Sequence, residues 1–244
     1  MAACEVDSSP KALVYRGPAA CSGCAESVAD LLKSSGSKFV VDFAGPNEKI
    51  DITTESLQGI DLFAQPGGGD LAPAWEATKK YKDVIRNYVA EGGRYAGFCV
   101  GAYLAGPDQG FDLLPSGSSV AREVDQPGSQ VPDERDTVIQ VDWTFQTGSE
   151  KGQKQDGRWV YFQDGAVVKL AADAPGVVLG TYSSNGNVAS SVTPFEKGWV
   201  GLVGPHPEAD QSWYDLVNVT NPDGIKFDIG HDFVDSIMAQ PANK

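Results

Sequence analysis

The pentad Gly97-Phe98-Cys99-Val100-Gly101 restricts what this chain can fold into more than any other stretch. It ends the strand-like run Tyr95-Ala96-Gly97-Phe98 and precedes Ala102-Tyr103-Leu104-Ala105, which reads as the start of a helix. A G-x-C-x-G at a strand-to-helix junction is the cysteine form of a nucleophile elbow. The sharp turn holds the nucleophile in a strained backbone conformation, and the flanking glycines let neighbouring chain come close. A helix N-terminus beneath the thiol favours an anion and presents backbone N–H groups, so Cys99 reads as an activated thiolate. The plainer reading of Cys99 is a buried core cysteine.

The rest of the first half supplies the sheet that such an elbow requires. Short β-branched runs alternate with helical stretches, the pattern of parallel strands joined by crossover helices. Residues 12–15 read as a buried first strand, 38–43 as a second and 60–64 as a third, with Val28, Leu31 and Leu32 on one face of an intervening helix. Tyr81, Val84, Ile85 and Tyr88 recur at the spacing of one buried helical face, ended by Gly92-Gly93. From 138 to 203, alternating segments are separated by Asp164-Gly165 and Asn185-Gly186, which read as hairpin turns adding antiparallel strands to the sheet edge. Residues 115–136, rich in Ser, Gly, Pro and acids, predict a long surface excursion, either a lid or disordered decoration. Phe233, Val234, Ile237 and Met238 mark a C-terminal helix over 228–239. The 244 residues are expected to form one α/β domain with its core over about 11–215.

Charge and cysteine usage narrow the partners. Nineteen basic residues against 33 acidic ones give a net charge of −14, which disfavours nucleic acid and anionic lipid surfaces. No window approaches the run of about 18 apolar residues that a membrane-spanning helix needs. Cys21-Ser22-Gly23-Cys24 is a C-x-x-C that fits a redox pair, half a zinc site or a local disulfide. Nothing in the sequence supplies the remaining zinc ligands, so no metal and no cofactor is expected. Met1-Ala2-Ala3-Cys4-Glu5 has neither the basic nor the apolar region of a secretory signal. The C-x-x-C and the sequon Asn218-Val219-Thr220 nevertheless favour an oxidising, extracellular setting, with Cys21 and Cys24 paired.

A thiol nucleophile needs a base, and the chain has two histidines, His206 and His231. His206 lies in Gly204-Pro205-His206-Pro207-Glu208, directly after the strand-like 199–203. An H-x-E on an extended turn puts both side chains on one side, so that Glu208 can fix the imidazole tautomer. His231 opens the last helix and reads as a cap or a solvent-facing residue. Pro66-Gly67-Gly68-Gly69-Asp70 follows the third strand without the Lys-Ser/Thr or G-x-G-x-x-G of a nucleotide site. It reads either as a tight turn or as one wall of an oxyanion hole, in which Gly67, Gly68 and Gly69 act with the N–H of Val100.

The order of these motifs resembles the class I glutamine amidotransferase-like superfamily. The wording Tyr15-Arg16-Gly17, Gln65-Pro66-Gly67-Gly68-Gly69-Asp70, Gly97-Phe98-Cys99-Val100-Gly101-Ala102-Tyr103 and His206-Pro207-Glu208 is most similar to its biotin-protein ligase N-terminal-like family, over about 11–215. The resemblance implies a flavodoxin-like α/β/α sandwich with a mainly parallel sheet. It also implies a Cys-His-Glu triad at Cys99, His206 and Glu208, with Asp70 and Tyr103 beside the substrate. Glutamine amidotransferases carry Gln four residues after the nucleophile, where this chain has Tyr103. The expected activity is therefore cysteine-dependent hydrolysis or transfer of a small-molecule or peptide amide, other than plain glutaminase action. The reading from a different class is a binding or structural module that keeps the scaffold without turnover.

Overall fold

Side chains alternate between the two faces of a strand, and here that alternation sets the layers. The computed structural model describes residues 9–241, so Cys4 and the N-terminal reading on Met1–Glu5 fall outside it. In β1 (Lys11–Tyr15), Ala12 and Val14 join one apolar cluster, and Leu13 and Tyr15 the other. The same split places Leu62 and Ala64 opposite Phe63 in β3 (Leu62–Gln65), and Ala96 and Phe98 opposite Tyr95 in β4 (Arg94–Phe98). Helices α1 (Cys24–Ser34) and α6 (Asp228–Met238) cover the first face. Helices α2 (Leu71–Thr78), α3 (Lys82–Ala90) and the short α4 (Val100–Tyr103) cover the second.

The other strands are β2 (Val40–Ala44), β5 (Ser119–Arg122), β6 (Thr137–Thr144), β7 (Lys154–Phe162), β8 (Ala166–Lys169), β9 (Val177–Tyr182), β10 (Val188–Phe195) and β11 (Gly198–Val203). Among the described residues, nine strands make one sheet in the order β2-β1-β3-β4-β11-β10-β9-β6-β7. The run from β2 to β11 is parallel, and β10, β9, β6 and β7 extend it through antiparallel pairs. This is the expected α/β sandwich with added antiparallel strands, the sheet as a whole being mixed.

The register decides where chemistry can sit. Gln65 pairs with Gly97, and Phe98 with Val203, so β3, β4 and β11 end level with one another. The chain therefore leaves three adjacent carboxyl ends at Pro66, Cys99 and Gly204, the edge where open α/β sheets hold ligands.

Two turn expectations hold. Gly92, with φ +116°, ends α3 while the Gly93 N–H donates to the Tyr88 carbonyl at 2.9 Å. Asn185-Gly186 closes the β9–β10 hairpin, with Gly186 at φ +76°.

Three features differ from the sequence reading. Residues 115–136 are not disordered decoration, because β5 pairs with β8 in a second, two-stranded sheet. The fully buried Glu123 in this segment accepts from the side chains of Asn185 and Asn187 at 2.5 and 3.1 Å, and burial raises its carboxyl pKa. Asp164-Gly165 is not a hairpin turn, since β7 pairs with β6 and β8 with β5. Gly165 is small for another reason: a Cβ there would stand 2.6 Å from the Gly204 carbonyl oxygen. Two helices were not expected, α2 and α5 (Gln211–Val217). Pro73 obscures the first, yet it sits in the first turn, where a missing N–H costs nothing.

Candidate active site

Cys99 occupies the elbow at φ 48° and ψ −107°, a conformation that a residue with a side chain reaches only under constraint from its surroundings. The flanking glycines provide that constraint by close approach. A Cβ on Gly97 would lie 2.4 Å from the Gly101 carbonyl oxygen, and one on Gly101 would lie 2.1 Å from the Gln65 carbonyl oxygen. The Cys99 N–H is tied to the Val203 carbonyl at 2.9 Å, which links the elbow to the end of β11. Its side chain is 4% exposed, with Sγ 3.5 Å from the Gln163 carbonyl oxygen.

His206 lies two residues beyond Gly204, where its own N–H donates to the Tyr161 carbonyl at 2.8 Å. The buried imidazole is flanked by Tyr161 and Trp213, with ring centroids 6.0 and 5.0 Å away. Its Nδ1 is 2.8 Å from Oε1 of the buried Glu208. A carboxylate only accepts, so Nδ1 carries the proton and Nε2 is left for another partner. The Cys99 thiol lies near enough for its charge to act on the ring, while its own hydrogen bond runs to the Gln163 carbonyl oxygen. Gly67 closes the arrangement from above, since a Cβ there would stand 2.5 Å from His206 Cε1 and 3.5 Å from Cys99 Cβ.

The electrostatics favour a charged imidazole. Burial lowers its pKa, but the Cys99 thiolate charge and the Glu208 carboxylate outweigh burial and push it from 6.5 up to about 10. In Glu208→Gln, one of those two charges is lost while burial remains, so the imidazole should titrate well below its wild-type value. NMR of the ring resonances across a pH series tests this, and an unchanged midpoint would mean that Glu208 does not govern the ring.

Beside the thiol lies a cleft of about 290 Å³ that includes Gly68, Gly69, Asp70, Val100 and Tyr103. Among the described residues, the amides of Gly68, Gly69 and Val100 donate to no protein acceptor, which leaves them free for an anion. Gly67 is not among the residues lining this cleft; it backs the imidazole, which leaves no room there for a Cβ. Asp70 starts α2 without a side-chain capping bond. The Tyr103 hydroxyl donates to the Asp164 carbonyl at 3.0 Å, and burial, followed by the charges of Cys99 and Asp164, raises its pKa. His231 does not cap α6, whose N-cap is Phe227; it is half-exposed, with Nε2 2.9 Å from Ser34 Oγ on α1, and burial lowers its pKa.

Other walls of this cleft escaped the sequence reading. Arg122 reaches it from β5, held by Asp164 at 3.0 Å and Glu134 at 2.9 Å, and Gln163 and Asp164 come from the β7–β8 connection. The available signal was the dipeptide Asp164-Gly165, read from sequence as a hairpin turn; in the structure Asp164 takes φ +48°. Cys21 and Cys24 are joined as a disulfide with Cα atoms 5.3 Å apart, and the Cys21 N–H donates to the Gly67 carbonyl at 3.0 Å. Among the described residues, no cluster of three or more metal-ligating side chains occurs, and no helix is long and apolar enough to cross a membrane.

Residues 11–123 match the family model for the biotin-protein ligase N-terminal region. That span holds the Gly67–Gly69 loop and Cys99, and it stops short of His206 and Glu208. PurLQS from Thermotoga maritima superposes with a TM-score of 0.61 at 20% identity, covering 95% of this chain and 98% of that one. The cytoplasmic protein STM1381 from Salmonella typhimurium LT2 gives 0.54 at 12% identity, covering 96% and 100%. At these identities the likeness concerns the fold alone, an α/β sandwich around a mainly parallel sheet extended by antiparallel strands. No curated protein sequence matches the chain.

Proposed function

We propose that this protein is a cysteine-dependent amide hydrolase or acyl transferase. The observation that supports the reading is a buried imidazole bonded to a carboxylate, next to a thiol on a strand-to-helix elbow and a glycine loop with free amides. Cys99 thiolate attacks the amide carbon, and the amides of Gly68 and Val100 face the oxyanion. As the tetrahedral adduct collapses, the carbon–nitrogen bond breaks and His206 passes its proton to the departing nitrogen. Water, deprotonated by the neutral imidazole, then cleaves the thioester and releases a carboxylic acid and the thiol. Glu208 orients the ring throughout. The Cys21–Cys24 bridge favours an oxidising compartment outside the cytosol.

A haloacetamide read by intact mass tests the reading. Cys99 should label faster than Cys4, and His206→Ala should slow it by about 100-fold. Cys21 and Cys24 should label only after reduction. The second reading, a scaffold that binds without turnover, draws on the 4% exposure of Cys99. Equally slow labelling of every free thiol would favour that second reading over a hydrolase.

A further inference from the structure

A second cleft, of about 530 Å³, opens on the other side of the imidazole. It shares Gly68 and Gln163 with the 290 Å³ cleft but contains His206 where the first contains Cys99. The two clefts thus meet over the thiol–imidazole pair. If Cys99 takes the acyl carbon, the nitrogen that receives the His206 proton must lie on the imidazole side, and the amine half of the substrate must extend into this second cleft.

The walls of that cleft have a definite chemistry. Tyr161 and Trp213 present aromatic surface next to the imidazole, and Glu26, Asp30, Asp136 and Asp210 contribute carboxylates. No lysine or arginine lines it, whereas Arg122 lines the first cleft. An acidic surface is common on a chain with a charge of −14, so the partners of each carboxylate matter. Glu26 is paired with Arg16 and Asp30 with Lys33. Asp136 accepts only the Tyr161 hydroxyl, at 2.6 Å, and Asp210 caps α5 through the Ser212 N–H at 2.8 Å and the Ser212 hydroxyl. Among the described residues, neither of these two carboxylates has a cation beside it. Aromatic faces next to unneutralised carboxylates recognise a positive charge.

We infer that the cleft lined by Trp213, Tyr161, Asp136 and Asp210 is a leaving-group subsite for an amine that carries a second, cationic group. This rests on the nucleophile reading of Cys99. One tyrosine side chain separates Asp136 from the imidazole, so the second charge belongs at the end of an alkyl chain several bonds from the amide nitrogen. Diamine conjugates and amides to a basic amino acid share that chemistry.

Bromoacetamides of cadaverine, lysine amide and the uncharged pentylamine test the inference by their rates of Cys99 alkylation. In each case Sγ displaces bromide and forms a thioether, with the amine half left in place as the variable. Both cationic probes should label Cys99 about tenfold faster than the pentylamine probe. In the Asp136→Asn, Asp210→Asn double variant this ratio should fall towards one. Asparagine still accepts from the Tyr161 hydroxyl and caps α5 as well as aspartate does, so the walls stay in place. A larger advantage for the cadaverine probe assigns the site to diamines, and a larger one for the lysine amide probe assigns it to basic residues. Rapid but equal labelling by all three would overturn the inference while leaving the nucleophile reading intact. If no probe labels Cys99, the nucleophile reading fails and the leaving-group assignment falls with it. A second measurement is independent of reactivity: cadaverine should shift the NMR resonances of the Trp213 indole in Cys99→Ala, and the absence of any shift would sink the subsite.

Discussion

Gly101→Ala is expected to lower the melting temperature by roughly 10 °C, whereas Gly67→Ala should leave the fold standing and slow Cys99 alkylation by about 100-fold. Both changes add one methyl group, and the neighbour each meets decides the result. At Gly101 the added Cβ would lie 2.1 Å from the carbonyl oxygen of Gln65, in the last residue of β3. That oxygen belongs to a central strand and cannot turn aside, so the elbow and the sheet must separate. Helix propensity works the other way, favouring alanine in α4 by about 1 kcal/mol. Backbone overpacking of this kind costs about 3 kcal/mol or more and wins.

At Gly67 the neighbour is the edge of the imidazole, 2.5 Å away at Cε1. The ring can yield, but only by leaving its place against Glu208 beside the elbow, and a small misplacement of a proton carrier is costly to rate. A Gly67→Ala protein that alkylates at the wild-type rate would show that reactivity does not depend on where the imidazole sits. An unchanged melting temperature for Gly101→Ala would contradict the close approach of β3 to the elbow.

These two glycines also show how far the sequence is legible. The pentad around Cys99 declares itself because a strand-to-helix turn this tight leaves no room for a Cβ at Gly97 or Gly101. His206 and Glu208 are readable as a pair because two residues of extended chain bring their side chains to the same side. The cleft walls are different. Arg122 reaches the cleft beside the thiol only because β5 pairs with β8, and Trp213 reaches the imidazole only because α5 packs beside Tyr161. Neither contact leaves a periodicity in the sequence, since both depend on pairings between segments far apart in the chain. The same limit explains β11, whose place beside β4 decides where His206 emerges and which no local pattern announces.

Free glutamine should yield ammonia orders of magnitude more slowly than a true glutaminase would release it, even with thiol and imidazole in place. A small polar substrate has to be fixed by complementary groups before a thiolate can attack its amide. In the glutamine amidotransferases that the chain resembles, the fourth residue after the nucleophile is a glutamine, and here it is Tyr103. The Tyr103 ring lines the 290 Å³ cleft beside Cys99, and its hydroxyl is already committed to the Asp164 carbonyl. The amino acid's own carboxylate would need a cation. Arg122, the one basic residue lining that cleft, is held by Asp164 and Glu134. Freeing it would break both of those ion pairs and a third, to Asp125 at 3.7 Å, for the sake of one. Glutamine thus meets a ring where it needs an amide and an occupied guanidinium where it needs a free one. A coupled ammonia assay on wild type, Cys99→Ala and Tyr103→Gln decides the matter. The wild-type and Cys99→Ala rates should be indistinguishable, and Tyr103→Gln alone should not restore turnover, because Arg122 stays engaged. Strong ammonia release by the wild type that disappears in Cys99→Ala would return the protein to a plain glutaminase reading.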